Sequence, residues 1–394
     1  METQTEVSGS CDRRFQPVRE AFERNFREHG EVGASLAISV AGESVVDLWG
    51  GWKDRARSQP WERDTIVNVW STTKGITSLA THMLVDRGLL DPAVPVARYW
   101  PEFAQAGKER LLVRWVLTHQ AGLTTVDGPL PDGAALDWEF MTSALARQRP
   151  YWEPGTSCGY HGVTFGWLLG EILRRTAGRT LKDWVRDEIA LPLGADFSIG
   201  CTTADDARCA DVLYPSGESS AKPSGVDPAF DDPHSLNYRS TELLITPPIN
   251  ADVNSRAWRD AEFGAMNGHS NGRAVARIYG ALACGGALNG TRLLQPDTLE
   301  RAIAPAFEGF DDKIMMLPFP VRRSLGFALA DTSLGDRRGS RSFGHSGAGG
   351  SLGFADPDAG IGFGYVMNQM WPFDLSNPDP RALGLIDALY SSLE

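Results

Sequence analysis

Lysine is scarce in this chain. It occurs at six of 394 positions (Lys53, Lys74, Lys108, Lys182, Lys222 and Lys313), while arginine supplies the rest of the 38 basic residues. The five cysteines, Cys11, Cys158, Cys201, Cys209 and Cys284, are odd in number and scattered. None forms Cys-x-x-Cys or pairs with histidine at zinc spacing, so neither a disulfide framework nor a metal site is expected. A Cys201–Cys209 bridge is conceivable, but reduced thiols are the expectation for a cytoplasmic chain. No stretch approaches the ~18 consecutive apolar residues of a membrane span. Residues 1–15, METQTEVSGSCDRRF, lack the apolar centre of a secretory signal, which makes the cytoplasm the expected location. Positive charge is in deficit: 38 Lys and Arg against 50 Asp and Glu leave a net charge of −12, which argues against nucleic acid or an anionic membrane as partner. No nucleotide or flavin signature occurs, and no cofactor is expected.

What is present suits a large folded protein. Hydrophobic residues make up 42% of the chain and tryptophan occurs 12 times, enough for a sizeable core at a length that suggests two lobes or one large α/β unit. "FQPVREAFERNFREH" has helical spacing, and "ASLAISVAGESVVDLWGGW" alternates across Ala41-Gly42-Glu43 as a β-hairpin does. The far end mirrors this, with two strands joined at Pro357-Asp358-Ala359-Gly360 and a closing helix in "PRALGLIDALYSSLE". Between about residues 71 and 195 the patterns are mostly helical. Together these predict an α/β domain built from residues 1–70 and 265–394, interrupted by a mainly helical domain over 71–264. Residues 211–240, rich in Pro, Ser, Gly and Asp, read as a long loop.

One scarce lysine stands in an informative place. In "VWSTTKGITSLATHMLVDRGLLD" the apolar positions Ile76, Leu79, Ala80, Met83 and Leu84 form one stripe of a helix that Gly88 closes. Ser71 stands at its first turn, with Lys74 three residues on and so on the same face. A serine here reads first as an N-cap, and on these residues alone a nucleophile is the lesser alternative. A first-turn lysine is disfavoured by the helix dipole, and the same positive potential can help a desolvated amine become a base. Two further features lie downstream. In "WEPGTSCGYHGVTFGWLLGEIL" a Pro-Gly turn brings Tyr160 just ahead of a helix. In "SFGHSGAGGSLGF" small residues replace the bulky ones expected of a strand, as happens where a ligand lies close to the backbone.

Taken in order, Ser71-x-x-Lys74, Tyr160 before a helix, and His345-Ser346-Gly347 between terminal strands resemble the serine β-lactamase and penicillin-binding-protein superfamily. The likeness is greatest to its class C-like branch, including the family VIII carboxylesterases, and extends over roughly residues 30 to 370. It implies a β-lactamase-like α/β fold, an antiparallel sheet flanked by helices, with the active site between the two domains. It also implies an acyl-enzyme on Ser71, proton transfer shared by Lys74 and Tyr160, and an oxyanion hole from the backbone N–H groups of Ser71 and Ala348. His345, Ser346, Gly347, Gly349, Trp152 and His161 are the expected substrate contacts, and His119 is expected to hold a helix end. Two departures favour esters over lactams. The Tyr-x-Asn element reads Tyr160-His161-Gly162, without the amide. The Lys-Thr-Gly element reads His345-Ser346-Gly347, with imidazole in place of the cation. The expected function is a carboxylesterase acting on small esters. An acyltransferase with an alcohol or amine acceptor is the alternative, followed by a β-lactamase, amidase or D-peptidase.

Overall fold

The computed structural model describes residues 6–128, 130–215, 232–245, 253–330, 338–372 and 379–394. Strands β1 (Val7–Cys11), β2 (Gly33–Val40) and β3 (Glu43–Gly51) precede the two-residue β4 (Val67–Asn68). Then come β5 (Phe197–Ile199), β6 (Gly268–Ser270), β7 (Ala287–Leu288), β8 (Thr291–Arg292), β9 (Phe307–Gly309), β10 (Val321–Arg323) and β11 (Ala328–Leu329). β12 (Phe343–Ser346), β13 (Leu352–Asp356) and β14 (Ile361–Met367) complete the set. The principal helices are α1 (Gln16–Glu28), α2 (Thr72–Asp86), α3 (Val113–Leu117), α4 (Trp138–Arg147), α5 (Thr164–Ala177), α6 (Leu181–Trp184) and α7 (Leu191–Leu193). They continue with α8 (Leu236–Ile245), α9 (Arg256–Asp260), α10 (Gly272–Ala283), α11 (Pro296–Ile303) and α12 (Pro380–Ser391).

The main sheet has nine strands in the order β1-β3-β2-β14-β13-β12-β11-β10-β9, and all its pairings are antiparallel. Its strands come from the two ends of the chain and meet where β2 pairs with β14, Leu36 opposite Tyr365. The β2–β3 hairpin turns at Ala41 and Gly42, both at positive φ (49° and 85°), a turn whose twist matches that of the strands. Helix α10 packs on β14 and β2. It can approach closely because Gly362 faces Gly280, and a Cβ at position 362 would overlap the Gly280 backbone. Its N-terminus is capped as the sequence suggests, the Asn271 side chain accepting from the Ala274 amide.

Helix α2 departs from the amphipathic reading, because its residues from Thr72 to Leu84 are buried on every side. It packs against β12 and β13, against α5 and against α11. Such burial is tolerated because its hydroxyls satisfy carbonyls on the neighbouring segments: Ser78 donates to Gly326 O at 2.8 Å and Thr77 to Gly264 O. A second difference concerns the stretch read as a loop. Residues 216–231 of it lie outside the described residues, but α8 begins at Leu236, inside the expected 211–240 span. Ser235 starts that helix, its Oγ accepting from the Tyr238 amide at 3.0 Å.

Candidate active site

β4 leads through Val69 to Trp70, which takes a positive φ of 47°. A bulky residue in that region is strained and needs its surroundings to hold it. Trp70 is buried and packs on Trp258, with ring centroids 5.9 Å apart. The bend sets Ser71 at the head of α2, where its side chain makes no capping bond to the helix. Instead Ser71 Oγ lies 3.0 Å from Lys74 Nζ and accepts a hydrogen bond from the Tyr160 hydroxyl at 2.9 Å. Of the two uses open to this serine, capping is not the one made.

Lys74 is fully buried, and its Nζ lies within 2.7 Å of Gly162 O and 2.9 Å of Ala265 O as well as near Ser71. Burial, reinforced by the positive charge of Arg323, holds the amine well below its ordinary pKa. Tyr160 arrives on the segment ahead of α5. Its ring has Lys74 Nζ 4.8 Å and Arg323 Cζ 5.7 Å from its centroid, with the His119 and His345 rings at 4.9 and 6.2 Å. Desolvation pushes its hydroxyl up to about 12, although the bond to Ser71 and the nearby Arg323 both oppose the rise. Near pH 7 the site therefore pairs an amine biased towards neutrality with an intact phenol.

The third wall is the turn after β12. Gly347 N donates to Ser351 O at 2.7 Å, while Ser351 Oγ donates to Val69 O at 2.8 Å and lies 3.1 Å from Thr72 Oγ1. A Cβ at Gly347 would collide with the Val69 carbonyl and with Ser351 Oγ. The turn thus lies directly on the segment that carries Ser71. Among the described residues, neither the Ser71 nor the Ala348 amide donates a hydrogen bond within the protein. Gly349, at φ 79°, is clamped from behind: its carbonyl accepts from Arg381 Nη2 at 2.7 Å and from Trp371 N at 3.0 Å. Arg381 is itself fully buried between Glu31 (3.1 Å) and Asp379 (2.8 Å).

The remaining expected residues divide. Ser346 and Ala348 are exposed and Gly347 and Gly349 half-buried at the turn. His345 is buried, its Nδ1 2.7 Å from Ser346 O and its Nε2 without a partner among the described residues, and burial lowers its pKa to about 3, so the ring is neutral. Trp152 is half-buried; its indole N–H donates to Ser157 O at 3.1 Å and its ring meets that of His161 edge-on, centroids 6.1 Å apart. His161 requires a correction. It is sealed from solvent, its Nε2 accepts from Leu123 N at 3.0 Å, and its Nδ1 lies 2.7 Å from Gly159 O, so neither ring nitrogen is left for a substrate. His119 stands just after α3 at φ 61° and accepts from the His161 amide at 3.1 Å, a scaffolding position. The sequence reading missed Arg323, on β10, and its partner Asp311, 3.8 Å away. One arginine in a three-residue strand carries no motif.

The sequence profile of the β-lactamase family matches residues 18–387. The chain belongs to the β-lactamase family. Among its relatives, the esterase/β-lactamase LipL of Mycobacterium tuberculosis is 36% identical over 368 residues, 92% of this chain and 83% of LipL. A family VIII carboxylesterase of known structure is 39% identical and superposes with a TM-score of 0.87 over 98% of this chain and all of the other. A penicillin-binding-protein homologue from Caulobacter crescentus is 38% identical, with a TM-score of 0.86 over 98% of this chain and 100% of that one. The β-lactamase-like fold expected from the motifs is thus the fold found. Among the described residues of this β-lactamase-family chain, no helix is long and apolar enough to cross a membrane.

Proposed function

We propose that the protein is a serine carboxylesterase that hydrolyses small esters through an acyl-enzyme on Ser71. The observation that carries this reading is the three-centre contact of Ser71 Oγ with Lys74 Nζ at 3.0 Å and Tyr160 OH at 2.9 Å. A neutral lysine has two N–H groups and one lone pair. Its hydrogens donate to the Gly162 and Ala265 carbonyls, which leaves the lone pair for the Ser71 hydroxyl. Lys74 takes the proton as Ser71 Oγ bonds to the ester carbonyl carbon. The carbonyl π electrons move onto oxygen, which the Ser71 and Ala348 amides receive. When the intermediate collapses, the C–O bond to the alcohol breaks and Tyr160 O–H protonates the departing oxygen. Lys74 returns its proton to Tyr160, and water repeats the sequence to release the acid.

The ester preference is supported by the neutral His345 and by Gly162, which together remove the cation and the amide that would hold a lactam. It is also supported by the names of the carboxylesterase and esterase relatives. In this reading the cleft separates the α/β portion, residues 1–70 and 265–394, from residues 71–264. The test is a fluorophosphonate probe followed by intact-mass trapping with p-nitrophenyl acetate and butyrate. Ser71 should carry the label, and Ser71→Ala should lose both label and turnover. Full labelling of Ser71→Ala would refute the assignment. Partition of the trapped acyl group to added alcohols or amines in preference to water would make the enzyme a transferase.

A further inference from the structure

His345 leaves the site without the lysine cation of the resembling enzymes, yet the site is not without a second positive charge. Arg323 enters from the end of β10 and is nine-tenths buried, with its guanidinium carbon 5.7 Å from the centre of the Tyr160 ring. Its Nε has no hydrogen-bond partner among the described residues. Among the described residues the carboxylate it pairs with is that of Asp311, fully buried at 3.8 Å, too far for a close bidentate pair. Asp311 is fixed in turn, its Oδ1 accepting from Ile314 N at 3.2 Å and Met315 N at 3.0 Å. The segment that holds it bridges to Cys158, two residues before Tyr160. A guanidinium this deep, with so loose a counter-ion, acts on whatever charge forms beside it.

The other titratable groups facing Tyr160 and Lys74 are uncharged near neutrality. Burial lowers His161 and His345 to about 3 and His119 well below its ordinary value, and it raises Cys158 to about 12. Burial also raises Asp311, with Arg323 opposing it. The local charge balance is therefore set by three groups: Lys74, Arg323 and Asp311.

We propose that Arg323, countered by Asp311, is a positioning residue that keeps Lys74 unprotonated beside an intact Tyr160, and so readies Ser71 for attack from a strand that carries no catalytic motif. The proposal rests on the acyl-enzyme reading above. Arg323 repels a proton on Lys74 and favours negative charge on Tyr160 oxygen as the leaving group takes its proton. Asp311 does the reverse and so limits the effect. The sign is fixed: loss of Arg323 with Asp311 retained makes Lys74 easier to protonate.

The experiment measures the pH dependence of kcat/KM for p-nitrophenyl butyrate from pH 4 to 9, in the wild type, Arg323→Gln, Arg323→Lys and the double variant Arg323→Gln/Asp311→Asn. The acid limb of Arg323→Gln should move up by about half a pH unit or more, roughly a threefold loss of rate at a fixed point on the limb. Arg323→Lys should keep the limb near its wild-type position. The double variant, with both charges gone, should bring it back, a rescue that a purely structural role does not predict. An unmoved limb in Arg323→Gln, or a double variant displaced as far as the single one, overturns the proposal. Should Arg323→Gln fail to fold, Asp311→Asn takes its place, and its limb must then lie below that of the wild type. Fluorophosphonate labelling of Ser71 in every variant separates this outcome from failure of the acyl-enzyme reading, which Ser71→Ala tests alone.

Discussion

Replacing Lys74 by methionine tests the protonation state on which the mechanism depends, without measuring catalysis. Lys74 is fully buried and held well below its ordinary pKa by desolvation and by Arg323. In the unfolded chain the same amine titrates near 10.4. Between the folded and unfolded pKa values, unfolding therefore takes up one proton, and stability rises with pH at about 1.4 kcal/mol per unit. This cost of burial is greatest at low pH and fades as pH approaches the unfolded value. Lys74→Met has no such group. It loses instead the bonds to the Gly162 and Ala265 carbonyls, a penalty on the order of 1–3 kcal/mol each and independent of pH. The difference in unfolding free energy, wild type minus Lys74→Met, should therefore climb between pH 7 and 9, at up to about 1.4 kcal/mol per unit. Urea unfolding at matched ionic strength measures it. A flat difference across that window means that folded Lys74 is an ammonium ion, and the lone-pair argument fails with it.

Tyr160→Phe removes a hydroxyl that donates to Ser71 Oγ, so kcat should fall by ~10²-fold or more while the melting temperature changes little. An intact kcat with a lowered melting temperature would instead mark Tyr160 as structural. With a neutral imidazole at 345 and no amide at 162, kcat/KM for benzylpenicillin should lie at least ~10²-fold below that for p-nitrophenyl butyrate. Comparable values would mean that Arg323 reaches a lactam carboxylate after all.

The grouping of Ser71, Lys74 and Tyr160 in the candidate site was legible in the chain because such motifs are local in sequence. A serine and a lysine one helical turn apart, in a chain with only six lysines, marked the head of α2. The small residues after His345 marked a close approach to the backbone, read there as a ligand's; the structure shows in addition that Gly347 lies against the Val69 carbonyl. Both hairpins and the closing helix could be read because alternation, turn residues and caps are properties of adjacent residues. What escaped depends on distant ones. β1 is a polar stretch, VSGSC, that becomes a strand only because β3 offers it an edge. Arg323 and Asp311 meet across strands and loops with nothing local to announce them. His161 follows Tyr160 directly, yet its ring is turned into the protein to support Leu123 and Gly159, an orientation that adjacency does not reveal. The burial of α2 on all sides was equally hidden, since its threonines and serines look solvent-facing until their carbonyl partners are known.

The pairing of β2 with β14 has a consequence during synthesis. Leu36 finds its partner Tyr365 only after more than 300 further residues have been made. At a translation rate on the order of 5–20 residues per second, the β2–β3 hairpin waits roughly 15–65 s with one edge of β2 unpaired. β2 is almost wholly buried in the finished protein, so the nascent chain carries an apolar strand edge through that interval. Ribosome-bound chains halted before β14 should therefore recruit holdase chaperones, whereas chains extended past Met367 and clear of the exit tunnel should release them.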